Sequence, residues 1–187
     1  MCVRVIGGEF RGRRLNAPDN PGVRPTSDRV REAIFDILYS LGRMEGLQVA
    51  DLFAGSGALG IEALSRGAAS VTFVDRDAGS LAAIRANLGS IGLSEAERDG
   101  DATLVRADVD AWVATAVARY DLVLCDPPYD YEGWENLVDR LPGDLVILES
   151  GRELTPLPTW GVIKSKRYGG TIVTVARPQL VAEKGSS

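Results

Sequence analysis

Apolar strand-like runs and helix-like segments alternate through the middle of the chain. The strand-like runs are rich in Val and Leu and occur at residues 47–53, 70–75, 103–107, 121–125 and 144–149. Between them, apolar residues recur at helical spacing in segments 58–67, 78–88, 109–118 and 131–140. Apolar strands that alternate with helices are typical of a parallel sheet covered by helices on both faces. The pattern therefore predicts an α/β fold.

Other patterns precede and follow this alternation. Strand-like runs at both ends predict two hairpins, 3–6 with 10–15 and 162–168 with 171–176. Between the first hairpin and the alternation, residues that favour N-caps precede apolar positions at helical spacing, which predict an amphipathic helix over 30–41. We divide the chain into a hairpin extension (1–24), one domain (25–179) and a disordered tail (180–187).

The composition excludes several kinds of chemistry. Hydrophobic residues make up 45 % of the 187 residues and charged residues 25 %, as in ordinary globular proteins. The absence of histidine excludes a His general base, a Ser-His-Asp triad and a His-ligated metal. Two cysteines, Cys2 and Cys125, are too few for a disulfide framework, and without metal-ligand spacing we expect no metal. Because no apolar run reaches membrane length, we expect a cytoplasmic protein and no membrane partner.

The charge is unevenly distributed along the chain. The net charge is −5, yet residues 1–31 and 152–187 each carry +4, and residues 32–151 carry −13. Basic ends on an acidic middle predict a positive rim around a cleft, because the local field decides whether phosphate binds. The alternative is that these cations are ordinary solvated surface.

A glycine-rich loop follows the first central strand. Residues 51–60 read DLFAGSGALG, and Gly55, Gly57 and Gly60 form G-x-G-x-x-G, the fingerprint of dinucleotide sites. Glycine permits close approach of a ligand to the backbone at the start of a helix. However, Asp51 at the end of the strand would repel a pyrophosphate and attract an ammonium group.

Two further carboxylates complete the predicted cofactor site. Asp75 ends the second strand, where a carboxylate accepts both hydroxyls of a ribose. Asp108 follows the third strand, near where an adenine amino group would lie, and also suits an N-cap. These positions imply a ligand with an amino-acid end, a ribose and an adenine but no phosphate, and S-adenosylmethionine fits that description. The predicted site also includes the neighbouring Phe53 and Arg76.

The fourth strand ends in Asp126-Pro127-Pro128-Tyr129. Two prolines stiffen the chain, so the Asp126 carboxylate and the Pro127 carbonyl become fixed acceptors beside the flat ring of Tyr129. Two acceptors and a stacking ring match an aromatic base that carries an exocyclic amine. We therefore predict that Asp126, Pro127 and Tyr129 are catalytic, that Asp126 also borders the cofactor, and that Pro128 contacts substrate.

Together these residues resemble the RsmD-type family of bacterial 16S ribosomal RNA guanine-N2 methyltransferases. The resemblance covers nearly the whole chain and rests on these stretches: RVIGGEFRGRRL (4–15), RPTSDRVREAIFDIL (24–38), DLFAGSGALGIEALSRGA (51–68), FVDRD (73–77), DPPYD (126–130) and KRYGGT (166–171). It implies a Rossmann-like class I methyltransferase fold, with a seven-stranded, mainly parallel sheet, helices on both faces and an N-terminal hairpin extension. It also implies that S-adenosylmethionine is the cofactor.

The resemblance further implies an RNA substrate. By this resemblance we expect the target to be a loop guanine, position 966 in ribosomal numbering, in the 16S rRNA of the assembled or assembling 30S subunit. We expect the protein to act as a monomer. The residues expected to bind RNA are Arg4, Arg11, Arg13, Arg14, Arg24, Arg29, Arg31, Lys164, Lys166 and Arg167.

Other functions stay open on the residues alone. Adenine-N6 and cytosine-N4 methyltransferases use the same Asp-Pro-Pro-Tyr chemistry on RNA or DNA. Cytosine-C5 methylation needs a thiolate, whereas we interpret Cys125 as a core residue, since burial in apolar surroundings raises the pKa of a thiol. A non-catalytic ribosome assembly factor is the alternative outside enzymology. A dehydrogenase would need a catalytic acid-base residue, and the sequence shows no candidate for it.

Overall fold

The computed structural model describes residues 3–17, 27–42, 44–94, 101–155 and 157–179. Within these ranges the helices are α1 (Asp28–Leu41), α2 (Ala58–Ser65), α3 (Ala78–Ser90), α4 (Val109–Thr115) and α5 (Trp134–Val138). The strands are β1 (Val3–Arg4), β2 (Arg14–Leu15), β3 (Gln48–Leu52), β4 (Ser70–Asp75), β5 (Ala102–Arg106), β6 (Tyr120–Cys125), β7 (Gly143–Ser150), β8 (Trp160–Tyr168) and β9 (Thr171–Pro178). The expectation of a disordered tail at 180–187 falls outside the described residues.

Seven strands form one sheet in the order β5-β4-β3-β6-β7-β9-β8. The five strands from β5 to β7 are parallel, and β9 lies antiparallel between β7 and β8. This confirms the predicted mainly parallel sheet and the closing hairpin. The chain reverses its direction of sheet growth between β3 and β6, and such a reversal opens a crevice at the carboxyl ends of the strands.

Helices cover both faces of the sheet. On one face, α1, α2, α3 and the N-terminal hairpin bury residues such as Phe35 and Ile84 against Phe73. On the other, α4 and α5 bury Trp134 against residues that include Cys125. Cys125 is 1 % exposed, which confirms it as a core residue, and burial raises the pKa of its thiol well above the usual range. Within the described ranges, no helix is long and apolar enough to cross a membrane.

The N-terminal hairpin is present, but its strands are only two residues long rather than the four to six predicted. Part of the backbone between them pairs with α2. Ile6 N and Gly7 N donate to the Glu62 carboxylate at 2.7 and 2.8 Å, and Glu9 N donates to the Ser65 carbonyl at 2.7 Å. Two bonds between the hairpin arms, from Val5 N to the Arg13 carbonyl and from Gly12 N to the Val5 carbonyl, continue the pairing beyond β1 and β2, and docking onto the helix fixes the extension to the domain.

A glycine permits this docking. Gly8 has φ +74, and a Cβ there would lie 1.7 Å from the Ser65 carbonyl oxygen. Only glycine fits both the backbone conformation and the close approach. The hairpin thus meets α2 directly, backbone against backbone.

Candidate active site

Four predicted carboxylates meet at the carboxyl edge of the sheet. Asp51 lies near the end of β3, and Asp75 ends β4. Asp108 follows β5 and Asp126 follows β6. Because these strands are parallel neighbours, their ends open into the same crevice. The sheet therefore brings the predicted cofactor residues and the Asp-Pro-Pro-Tyr segment together.

Asp51 is buried beneath this crevice. Its side chain accepts a hydrogen bond from Gly60 N at 2.9 Å, and the residue is 1 % exposed. Burial raises the pKa of Asp51 well above its usual range, and the nearby Asp126 and Asp75 carboxylates raise it further against the lowering effect of the Gly60 bond. A cation in the crevice would stabilise the ionised form of this carboxyl, so the site favours a positively charged ligand.

The glycine loop adopts conformations that other residues rarely adopt. Gly55 and Gly57 have φ angles of 55° and 74°, and Gly57 precedes the first residue of α2. A Cβ on Gly60 would lie 2.3 Å from the Phe73 ring, so glycine there lets α2 approach the sheet. The fingerprint glycines thus serve both the loop and the packing of α2.

The Asp75 carboxylate holds the loop in place. It accepts hydrogen bonds from Gly55 N at 2.8 Å and from Asp77 N at 2.9 Å. Arg76, between Asp75 and Asp77 in the sequence, has an exposed side chain, and its carbonyl accepts a hydrogen bond from Arg106. Asp108 caps α4 by accepting from Ala111 N at 3.2 Å, which confirms its predicted capping role.

Tyr131 joins three elements of the site, and sequence reasoning missed it. Its hydroxyl donates to Asp110 at 2.6 Å, and its ring packs edge-on against Phe53 at 5.2 Å and Trp134 at 5.5 Å. Phe53 has a φ of 59°, which is uncommon for a residue with a side chain. The ring contact therefore ties a strained residue of the glycine loop to the segment after Asp-Pro-Pro-Tyr. The only signal in the sequence is an aromatic residue two positions after that motif.

The Asp-Pro-Pro-Tyr segment leaves β6 in a fixed direction. Asp126 is half-buried and Pro127 is buried, whereas Pro128 and Tyr129 are exposed. The Pro128 carbonyl accepts from Tyr131 N at 2.9 Å and closes a turn. Tyr129 is 87 % exposed, so its ring is open to stack with a planar partner.

The predicted basic residues divide into two exposed groups. One group is on the hairpin and the start of α1 and consists of Arg4, Arg11, Arg13, Arg14 and Arg29; the other is on β8 and consists of Lys164, Lys166 and Arg167. Arg4 also forms an ion pair with Asp28 at 3.3 Å. Arg24 lies outside the described residues.

Arg31 is a correction to the predicted RNA surface. It is fully buried, and its Nη2 atom donates to the Arg4 carbonyl at 2.7 Å and to Asp28 at 2.8 Å. The guanidinium therefore fastens β1 to α1 and is not accessible to a phosphate. Among the described residues, no cluster of three potential metal ligands is present.

Known proteins are similar to this chain in sequence and in fold. A sequence model of the family described as Conserved hypothetical protein 95 matches residues 3–177. The ribosomal RNA small subunit methyltransferase D of Escherichia coli strain K12 is 40 % identical over 178 residues, which cover 89 % of this chain and 85 % of that protein. The solved structure of the Escherichia coli protein yhhF matches with a TM-score of 0.80 and 32 % identity, over 96 % of this chain and 99 % of that chain.

The fold extends to more distant proteins. Magnesium protoporphyrin IX methyltransferase from Synechocystis PCC 6803, solved with bound SAM, matches with a TM-score of 0.64 at 17 % identity, over 81 % of this chain and 79 % of that chain. At this identity the likeness concerns the fold alone. The sheet order and these structural neighbours confirm the predicted Rossmann-like class I methyltransferase fold.

Proposed function

The chain belongs to the RsmD-type family, described as Conserved hypothetical protein 95, and on that premise we propose that it is an rRNA methyltransferase. Its proposed cofactor is S-adenosylmethionine, and its proposed target is the N2 amine of guanine 966 in the 16S rRNA of the 30S subunit. An rRNA substrate would place this activity in the cytoplasm. The observation that carries the proposal is the meeting of Asp51, Asp75 and Asp126 at one crevice.

The crevice suits a ligand with a cationic amine and a ribose. The buried Asp51 carboxyl gains from a nearby ammonium group, which we propose is that of the cofactor's amino-acid end. Asp75 already accepts two backbone N–H groups, and ribose hydroxyls would donate to the same carboxylate. Gly55 and Gly57 would leave room for the cofactor, and Asp108 would lie near its adenine end, with Phe53 and Arg76 alongside. When bound, the cofactor supplies an electrophilic methyl group on a sulfonium.

The substrate side of the crevice suits a planar base with an exocyclic amine. Such an amine is a poor nucleophile because its lone pair is delocalised into the ring. Asp126 and the Pro127 carbonyl would accept its two N–H bonds, raise the electron density on nitrogen and aim the lone pair at the methyl carbon. Tyr129 would stack on the base, which must leave its own stack to enter, and Pro128 would line the entrance.

The Asp-Pro-Pro-Tyr segment alone does not determine which base is methylated. With the cofactor bound, the target nitrogen would take its methyl group as the carbon–sulfur bond breaks, and the amine proton would leave to solvent, whichever exocyclic amine reacts. The guanine-N2 assignment rests on the resemblance to the RsmD-type family alone, whereas the 40 % identity to the Escherichia coli ribosomal RNA small subunit methyltransferase D supports an rRNA target. Adenine-N6 and cytosine-N4 methylation are the alternatives that the assay below separates.

The proposed function is tested by transfer of radiolabel from S-adenosylmethionine. Three substrates are offered: small subunits that lack the modification, free small-subunit RNA and duplex DNA. Label in N2-methylguanosine, strongest with subunits, supports the proposal. Label in methyladenine or methylcytosine overturns the target. Measurable cofactor binding with no transfer to any substrate would favour a non-catalytic assembly factor.

Replacing Asp75 with alanine should weaken cofactor binding by about 1–3 kcal/mol, because the ribose loses its acceptor and Gly55 N loses its partner. Isothermal titration calorimetry with S-adenosylmethionine measures the change. Asp101→Ala is the matched control, since Asp101 is an exposed carboxylate just before β5, at the opposite edge of the sheet. Equal affinities of the wild type and Asp75→Ala would refute the proposed ribose contact.

Replacing Arg11, Arg13 and Arg14 together should weaken RNA binding and flatten its salt dependence. All three are exposed on the hairpin. Each phosphate contact to single-stranded RNA contributes about 0.7 to the slope of log K against log salt, so the slope should fall by up to about 2. Filter binding at several salt concentrations measures it. The control replaces Arg119 and Arg140, which precede β6 and β7 at the opposite edge of the sheet. An unchanged salt slope in the triple variant would mean that RNA binds to another surface of the protein.

A further inference from the structure

The exposed ring of Tyr129 rests against a glycine of the neighbouring strand. Gly151 directly follows β7, and β7 pairs with β6, which leads into the Asp-Pro-Pro-Tyr segment. A Cβ on Gly151 would lie 2.6 Å from Cε2, 3.1 Å from Cζ and 3.3 Å from Cδ2 of Tyr129. These distances are shorter than ordinary van der Waals contact. The ring therefore occupies space that a side chain at position 151 would need.

A hydrogen bond between its two neighbours spans Gly151. Ser150 is buried, and its hydroxyl donates to the Arg152 carbonyl at 2.6 Å. Gly151 itself does not have a φ in the left-handed region, so its backbone conformation is open to residues with a side chain. A substitution there would consequently leave the backbone unstrained and act on the neighbouring ring.

The rest of the Tyr129 ring surface is open, since the residue is 87 % exposed. An exposed ring moves at little cost, so an added methyl group would displace the ring rather than destabilise the fold. The absence of a side chain at position 151 thus decides how close the ring lies to the end of β7. That placement also sets its distance from Asp126, three residues earlier in the same segment.

We propose that Gly151 is a positioning residue, which sets the place of the Tyr129 ring and through it the place of the stacked target base. This inference rests on the proposed function and deepens it. A base that stacks on the ring follows the ring when it moves, and its exocyclic amine then shifts relative to the Asp126 carboxylate. Misplacement of reacting groups by about 1 Å costs on the order of 100-fold in rate.

The test compares Gly151→Ala with Gly89→Ala under single-turnover conditions. Gly89 lies in α3, and a Cβ there meets nothing within 4 Å. We expect Gly151→Ala to slow methyl transfer about 10- to 100-fold. Its melting temperature and its affinity for S-adenosylmethionine should equal those of the wild type, and Gly89→Ala should transfer methyl groups at the wild-type rate.

A double variant separates ring positioning from a general structural effect. In a chain that already carries Tyr129→Ala, adding Gly151→Ala should change the rate less than twofold, because the ring on which it acts is gone. Full activity of Gly151→Ala would overturn the inference, as would an equal loss in both backgrounds. A wild-type chain that methylates no substrate would refute the proposed function and this inference together, whereas an active wild type beside an equally active Gly151→Ala refutes the inference alone.

Discussion

Replacing Asp126 with alanine should lower the rate of methyl transfer by about 100- to 1,000-fold while the cofactor still binds. The carboxylate is the proposed acceptor for the target amine, and loss of one well-placed polar group in an active site costs about 100- to 1,000-fold. Asp126 is half-buried at the end of β6 and lies close enough to Asp51 to raise the pKa of that carboxyl. The side chain therefore lies beside the proposed cofactor site as well as the proposed base pocket.

Single-turnover transfer of labelled methyl groups measures this effect, and calorimetry measures cofactor affinity. We expect the dissociation constant of S-adenosylmethionine to change less than about fivefold, a cost of about 1 kcal/mol. Asp130→Ala is the matched control, because Asp130 is an exposed carboxylate four residues further along the same segment. Substantial turnover by Asp126→Ala would exclude the proposed acceptor role. A large loss of cofactor affinity would assign Asp126 chiefly to the cofactor site.

The carboxyl edge of the sheet was predictable because each of its acids lies at or near the end of an apolar run or directly follows one. Asp75 ends a strand-like segment, Asp51 lies near the end of one, and Asp108 and Asp126 each follow one. Strands that alternate with helices are parallel, so their ends had to meet at one edge. The roles of these residues toward a cofactor and a base stay predictions, since position alone does not decide what they bind.

The helical spacing of α1 also predicts the burial of Arg31, although its positive charge suggested an exposed, RNA-binding residue. Arg31 lies three and four residues before Ile34 and Phe35, so it shares the buried face of α1. The Asp28 carboxylate and the Arg4 carbonyl accept hydrogen bonds from its Nη2 atom and offset only part of the cost of that burial, because Nε and Nη1 are buried without a hydrogen-bond partner among the described residues. Grouping it with the exposed arginines ignored the helical spacing.

Contacts between distant parts of the chain were not predictable. The contact of Tyr131 with Phe53 depends on how two loops fold over the sheet, and no periodicity describes it. The shortness of β1 and β2 arises in the same way, because backbone groups of the hairpin bond to Glu62, more than fifty residues away. Local patterns predict elements, whereas such long-range partners appear only when the elements pack.

Replacing Glu62 with glutamine should destabilise the fold by about 3 kcal/mol and weaken RNA binding with it. Glu62 is fully buried, and its carboxylate accepts from Ile6 N, Gly7 N and, at 2.7 Å, Arg66 Nε. Glutamine keeps one acceptor oxygen and turns an NH₂ group toward a donor. Removing one partner of a buried, hydrogen-bonded ion pair costs about 3–5 kcal/mol, and a neutral isostere retains part of the bonding.

The second readout separates loss of the hairpin from loss of the whole fold. Urea unfolding measures stability, and the salt slope of RNA binding reports whether the hairpin still presents Arg11 and Arg13. RNA binding by Glu62→Gln is measured without urea, where the domain stays folded and binds cofactor. We expect its salt slope to fall toward that of the variant that lacks Arg11, Arg13 and Arg14. Glu32→Gln on the exposed face of α1 is the control and should change neither quantity. A destabilised Glu62→Gln with the wild-type salt slope would mean that Glu62 stabilises the domain without placing the RNA-binding arginines.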